Sequence, residues 1–391
     1  MHIKILVLIT SFFSPNMLAA NISNSVIHFG AIPNDGIDDS VAFNLALSSL
    51  SDNSNITIPP GEYDICNTLF ISDSVNIALL GSKGAILKKC PNFNGEYLLY
   101  VKRTEKLNIS NLHFIGLFNG GDTPQWGKQG IYLASTTNSM IANNTFDNFG
   151  DAALRITTSP NNNVTESRNA TIINNQFSNC TQVTTTQSQS SGDVNVASTH
   201  NITFSSNTFD NCTLKLCARK ATEEATIFNN HFKNNKGTAL ESCYYSNLSI
   251  SHNQFELNSG FAINIYPNTR APYPVKWGDI KIADNTFDNS TLGIRLQSFS
   301  SSEVADIAIQ NLSITNNVFL NISCTGVENK YKQLIRTYSQ HPTLSFENIT
   351  INKNKFTINQ GCDFLSLDAK DSHISIEDNK SMPRVLKKIK P

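Results

Sequence analysis

Short runs of alternating apolar and polar residues recur along most of the chain, as in Ile202-Thr203-Phe204, Leu248-Ser249-Ile250, Ile280-Lys281-Ile282 and Leu312-Ser313-Ile314. Such alternation sends one face inward and the other outward, the pattern of a half-buried strand. These runs precede an Asn-x-Phe triplet, which occurs at Asn144/Phe146, Asn175/Phe177, Asn207/Phe209, Asn230/Phe232, Asn253/Phe255, Asn285/Phe287, Asn317/Phe319 and Asn354/Phe356. The spacings are 31, 32, 23, 23, 32, 32 and 37 residues, so loops lengthen a minimal unit of 23 in most copies. Phe114 lies another 32 residues upstream and lacks the Asn. A second strand follows the triplets, as in Leu154-Arg155-Ile156, Leu214-Lys215-Leu216, Ala239-Leu240-Glu241, Ile263-Asn264-Ile265 and Ile294-Arg295-Leu296. Two or three short strands in about 23 residues make one coil of a parallel β-helix. In that coil Asn tolerates the left-handed backbone of a sharp turn and offers its amide to the Asn one coil above, while Phe stacks inside the bend.

No helical period appears within the repeats. One helix is predicted from Ser40 to Leu50, with Asp38 or Asp39 as N-cap and Val41, Leu45 and Leu47 among its apolar positions. A stacked solenoid needs its open end covered, and this helix is placed to cover it. The repeat argues for one all-β solenoid domain over residues 21–380, preceded by a secretory leader over 1–20 and followed by a basic tail over 381–391. The leader combines His2 and Lys4, an apolar run from Ile5 to Phe13, and small residues Ala19 and Ala20. It predicts a secreted or periplasmic protein without a membrane span.

Charged residues are 16% of the chain and the net charge is −1, which argues against capture of nucleic acid or a membrane surface. The tail residues Arg384, Lys387, Lys388 and Lys390 read as a solvated terminus. Eight cysteines in a secreted chain point to disulfides. Cys180 and Cys212 each follow their Phe by three residues and so fall one above the other, about 4.8 Å apart, within disulfide reach. The same one-coil logic pairs Cys66 with Cys90, Cys217 with Cys243, and Cys324 with Cys362. Paired Cys-x-x-Cys spacing and clustered His, which a zinc site needs, are missing. Asn-x-Ser/Thr triplets at Asn108, Asn169, Asn201, Asn247 and Asn348 arise wherever a turn Asn precedes a Thr- or Ser-bearing strand.

The segment Phe29-Gly30-Ala31, Asn34-Asp35-Gly36-Ile37-Asp38-Asp39-Ser40, Ala42-Phe43, Ala46-Leu47 and then Ile56-Thr57-Ile58-Pro59-Pro60-Gly61-Glu62-Tyr63 closely resembles the N-terminus of the pectate lyase superfamily. Polysaccharide lyases, polygalacturonase-like glycosidases and phage tailspike depolymerases share that signature. The resemblance spans roughly residues 26–380 and implies a right-handed parallel β-helix that acts on a polysaccharide. The signature builds a cap and first coil, so it does not choose a chemistry. The Asn-Thr-Asp, Asp-Asp, Gly-His-Gly and Arg-Ile-Lys motifs of polygalacturonase-like enzymes are not intact here; Gly150-Asp151-Ala152-Ala153-Leu154-Arg155-Ile156 is the nearest echo. The Asp-Pro-His motif of mannuronan epimerases is also missing.

Insertions in a solenoid build its binding surface. Loops at 116–130, 157–169, 182–200, 266–279 and 297–308 leave the two 23-residue coils between Phe209 and Phe255 bare, which predicts a cleft floored by 216–226 and 239–245. Its ionisable residues are Arg219, Lys220, Glu223, Glu224, Glu241, Tyr244 and Tyr245, and strand alternation turns Arg155, Glu241 and Arg295 outward. Trp126, Tyr245 and Trp277 offer flat faces to sugars, and Arg270 a guanidinium to a carboxylate. This set suits β-elimination on an acidic, uronic-acid polymer, which needs cations for the C5 carboxylate, a base for the C5 proton and an acid for the leaving oxygen. Arg155, Arg219 and Arg295 are candidates for carboxylate or base, Lys220 for base, and Tyr244 or Tyr245 for acid. Glu241 with Glu223 or Glu224 would suit Ca²⁺. Two alternatives remain: a glycoside hydrolase using Glu241 with Asp151, Glu223 or Glu224, and a noncatalytic polysaccharide-binding or adhesive rod.

Overall fold

In the computed structural model the described residues are 23–121, 123–158, 166–185, 199–216, 222–243, 246–266, 278–290, 292–298, 309–324, 326–339, 345–358 and 361–382. Thirteen strands, from Ser23–Ser25 to Ser372–Glu377, stack in parallel into one long sheet. A second parallel stack carries the triplet phenylalanines. A third carries the strands that follow them, such as Thr213–Leu216, Leu240–Ser242, Phe261–Ile265 and Leu292–Ser298. The chain visits the three faces in turn and rises one rung per coil, the right-handed parallel β-helix expected from the repeat.

The interior is a set of side-chain ladders. Phe114, Phe146, Phe177, Phe209, Phe232, Phe255, Phe287 and Phe319 stack with centroids 4.6–5.2 Å apart and nearly parallel rings. Phe114 therefore belongs to the ladder although its coil lacks the Asn. Beside it, the triplet asparagines from Asn144 to Asn354, and Asn379 beyond them, are joined Nδ2 to Oδ1 at 2.9–3.1 Å. Each triplet Asn Oδ1 also accepts a backbone N–H from the Asn one coil before it, from Asn175 at the second triplet onward. The left-handed turn residue is not the triplet Asn but the residue before it: Asn143, Asn174, Ser206, Asn229, His252, Asp284, Asn316 and Lys353 all have φ of 54–58°. The triplet Asn is freed from the turn to face inward and bond along the helix axis.

Stacking also sets the disulfides. Cys66–Cys90, Cys180–Cys212 and Cys324–Cys362 are joined, with Cα atoms 4.8, 4.7 and 5.4 Å apart. Cys217, expected to pair with Cys243, lies outside the described residues, as do the expected leader and residues 383–391 of the expected tail.

The helix covers Ser40–Ser48 and lies over the first coils, with Phe43 edge-on to Tyr63 at 5.2 Å. Its buried face is Ala42, Phe43, Ala46 and Leu47, whereas Val41 and Leu45 are 68% and 53% exposed. Asp39 is the N-cap by position, but Asp38 Oδ1 accepts the Ser40 N–H at 2.9 Å. Among the described residues no helix is long and apolar enough to cross a membrane.

Candidate functional site

The third stack presents one outward residue per coil between inward apolar neighbours. Register places Phe70, Tyr100, Tyr132, Arg155, Thr184, Lys215, Glu241, Asn264, Arg295, Arg336 and Ser366 in one column, each beside the next. Rungs are about 4.8 Å apart, so Arg155 lies about 14 Å from Glu241, and Arg295 about 10 Å away on the other side. Arg155, Glu241 and Arg295 share a face, as alternation requires, but they do not converge on one sugar.

Accessibility divides the column. Tyr132 and Arg155 are 4% and 5% exposed and Thr184 is fully buried, while the rungs from Lys215 onward are partly open. Arg155 is thus part of a buried network rather than the open surface expected from alternation. Its Nη2 meets Asp151 Oδ1 at 3.1 Å and its Nε donates to Gln129 Oε1 at 2.8 Å. Gln182 Nε2 donates to Asp151 Oδ1 at 2.9 Å, and the Gly127 N–H donates to Asp151 Oδ2 at 3.0 Å. The network ties the loop before Gln129 to the helix and leaves Trp126 69% exposed on that loop.

On the open stretch Lys215 Nζ stands 3.0 Å from Glu241 Oε1. Gln297 Nε2 donates to Asn264 Oδ1 at 3.2 Å on the next rungs. Arg295 and Arg336 follow, their guanidinium carbons 4.9 and 5.5 Å from the Tyr331 ring centre. Phe261 lies 4.9 Å from the Arg295 guanidinium and Tyr338 lies 4.7 Å from that of Arg336. Burial pulls the Arg295 guanidinium below its ordinary pKa, partly countered by Tyr331.

The cleft floor expected at 216–226 and 239–245 is not one surface. Thr222–Phe228 runs in the long sheet, between Thr199–Ser205 and Ser246–Ser251, whereas Glu241 is in the third stack. Glu224 lies within Thr222–Phe228 on a left-handed backbone, φ 57°, and faces His200 Nε2 at 3.5 Å. Among the described residues, the one group of three potential metal ligands is Asp38, Cys66 and Cys90, and its cysteines are spent in a disulfide. Arg219, Lys220, Tyr244, Tyr245, Arg270, Trp277 and the Glu223 side chain lie outside the described residues. Lys215, Tyr331, Arg336 and Tyr338 were not singled out from sequence. Lys215 was visible as the outward member of Leu214-Lys215-Leu216, and Arg336 is likewise flanked by Ile335, but only register puts them beside Glu241 and Arg295.

Residues 97–276 match the family described as right handed beta helix region. Solved structures agree over nearly the whole chain. The catalytic domain of Agl-KA superposes with a TM-score of 0.62 at 17% identity, over 92% of this chain and 68% of that one. The chain folds as a right-handed parallel β-helix. Two more β-helices align as well: PfbA, a surface adhesin of Streptococcus pneumoniae (TM-score 0.60, 15% identity, 92% and 91% of the two chains), and the A-module of the Azotobacter vinelandii mannuronan C-5 epimerase AlgE6 (0.60, 14%, 93% and 100%). No curated protein matches the sequence. At these identities the likeness concerns the β-helix, and function has to be argued from the site.

Proposed function

We propose that this β-helix is a secreted polysaccharide lyase that holds an acidic polymer along the open column and cleaves it by β-elimination at the Lys215–Glu241 pair. The observation that carries this reading is a column with one carboxylate and several cations. From Lys215 to Ser366 the outward residues are Lys215, Glu241, Asn264, Arg295, Arg336 and Ser366. A glycosidase needs two carboxyl groups about 5–9.5 Å apart, and Asp151 is buried in the Arg155 network about three rungs from Glu241. Elimination asks less of carboxylates. Lys215 holds the C5 carboxylate of the sugar, Glu241 takes the C5 proton, the electron pair forms the C4–C5 double bond, and the C4–O bond breaks as the leaving oxygen gains a proton. The candidate acid is Tyr244, three residues after Glu241 in sequence. The three disulfides seen among the described residues support an extracellular setting, to which the expected leader would address the chain.

A second reading, a binding or adhesive rod, draws support from the equally good superposition on the PfbA adhesin. Polyuronates and neutral glycans incubated with the protein separate the two, with absorbance near 235 nm (about the unsaturated uronate maximum) and reducing ends followed together. Both signals should rise and fall at least about a hundredfold in Glu241→Gln. Reducing ends without absorbance would mean hydrolysis. Binding without either signal would favour the rod.

A further inference from the structure

Arg295 and Arg336 occupy neighbouring rungs with their guanidinium groups against the same ring, that of Tyr331. Phe261 stands perpendicular to Tyr331 at 5.8 Å and closes one side, and Tyr338 backs Arg336 on the other. Aromatic faces hold a guanidinium by its plane and leave its N–H edge free. Other cations of the column have an acid: Arg155 has Asp151 and Lys215 has Glu241. Among the described residues no carboxylate forms an ion pair with Arg295 or Arg336. Arg336 Nη1 donates to the Lys330 carbonyl, Arg295 donates to the Tyr331 hydroxyl, and the buried Nε of Arg295 has no hydrogen-bond partner. Two adjacent cations, fixed by ring stacking and with no carboxylate partner among the described residues, form a receptor for an oxyanion.

The pair stands two and three rungs beyond Glu241, about 10 and 14 Å away, so an anion held there belongs to a different sugar from the one at Lys215. We infer that Arg295 and Arg336, walled by Phe261, Tyr331 and Tyr338, form an oxyanion subsite that takes a carboxylate or sulfate ester of a polysaccharide strand lying along the column. The inference rests on the polysaccharide track proposed above and adds a specificity site distinct from the reacting pair. Arg295 is then a specificity residue, not part of the elimination machinery.

Calorimetric titration with three probes tests it: hexagalacturonate, its carboxyl-reduced neutral form, and a sulfated galactan hexamer. The wild-type protein should bind one charged probe at least about tenfold more tightly than the neutral one, about 1.4 kcal/mol, and the preferred probe identifies carboxylate or sulfate. Arg336→Gln and Arg295→Gln should each cut that preference at least about threefold, leaving the part owed to Lys215, and leave neutral-probe affinity unchanged. Arg336→Lys should retain part of it, and Glu241→Gln should keep it whole. Far-ultraviolet circular dichroism melts confirm that each variant is folded. Equal wild-type affinity for charged and neutral probes, or a preference undiminished in both Gln variants, overturns the subsite while leaving the track standing. No binding of any probe overturns the track and the subsite together.

Discussion

Lys89 offers the sharpest quantitative test of how this β-helix is built. The residue is 2% exposed, its Nζ donates to the Glu96 carbonyl at 3.2 Å, and it lies 4.1 Å from the centre of the Phe93 ring. Burial, assisted by repulsion from Lys128, pulls its ammonium down from 10.5 to about 7. Between those values the unfolded chain holds a proton that the folded protein has released, so stability rises with pH across that window. Below about 7 both states are charged and folding carries the full cost, roughly 3.5 times 1.36, or about 5 kcal/mol. Lys89→Met keeps the aliphatic body and removes the charge. It also loses the bond to Glu96, about 1 kcal/mol, and the contact with Phe93, about 1–2 kcal/mol. The variant should therefore be more stable than wild type by about 2–3 kcal/mol at pH 7. By pH 9 the wild type recovers about 2–3 kcal/mol and the difference should nearly vanish. Guanidinium unfolding at pH 7, 8 and 9, followed by circular dichroism and tryptophan fluorescence, measures both quantities, and coincident transitions secure the comparison. A difference that stays constant with pH, or a Met variant less stable than wild type at pH 7, would refute the reasoning.

Asn230→Ala removes an amide that accepts from the Asn207 N–H and donates to the Phe204 carbonyl. Both groups are left buried, so urea unfolding should show a loss of about 3–6 kcal/mol, with Asn230→Asp intermediate at acid pH. Asp151→Ala strands the Arg155 guanidinium and releases the Gly127 N–H. It should cost about 3–5 kcal/mol, and the fluorescence of Trp126 should lose anisotropy as its loop is untied; unchanged melting would show that the network carries no load.

The architecture was legible in the sequence because a solenoid repeats its own contacts. Asn207, Asn230 and Asn253 recur at 23 residues because each must meet its copy one rung away, and Cys180 lies above Cys212 for the same reason. Loops of any length leave that rung spacing intact, so the phenylalanine stack survives intervals of 23 and 32 residues. The alternation in Leu154-Arg155-Ile156 likewise told which way Arg155 leaves its strand. It could not tell what lies over that face: only the assembled chain buries Arg155 with Asp151, Gln129 and Gln182. The helix shows the same limit, since Val41 and Leu45 are as apolar as Leu47, and the way the helix lies on the first coils decides which of them meet the core. Glu224 and Glu241 are 17 positions apart in sequence yet sit on different sheets, while Lys215 and Glu241, 26 apart, touch. Inward positions answer to a repeat that every coil shares; outward neighbours are chosen by where each coil closes and what folds over it, and that is a property of the tertiary structure alone.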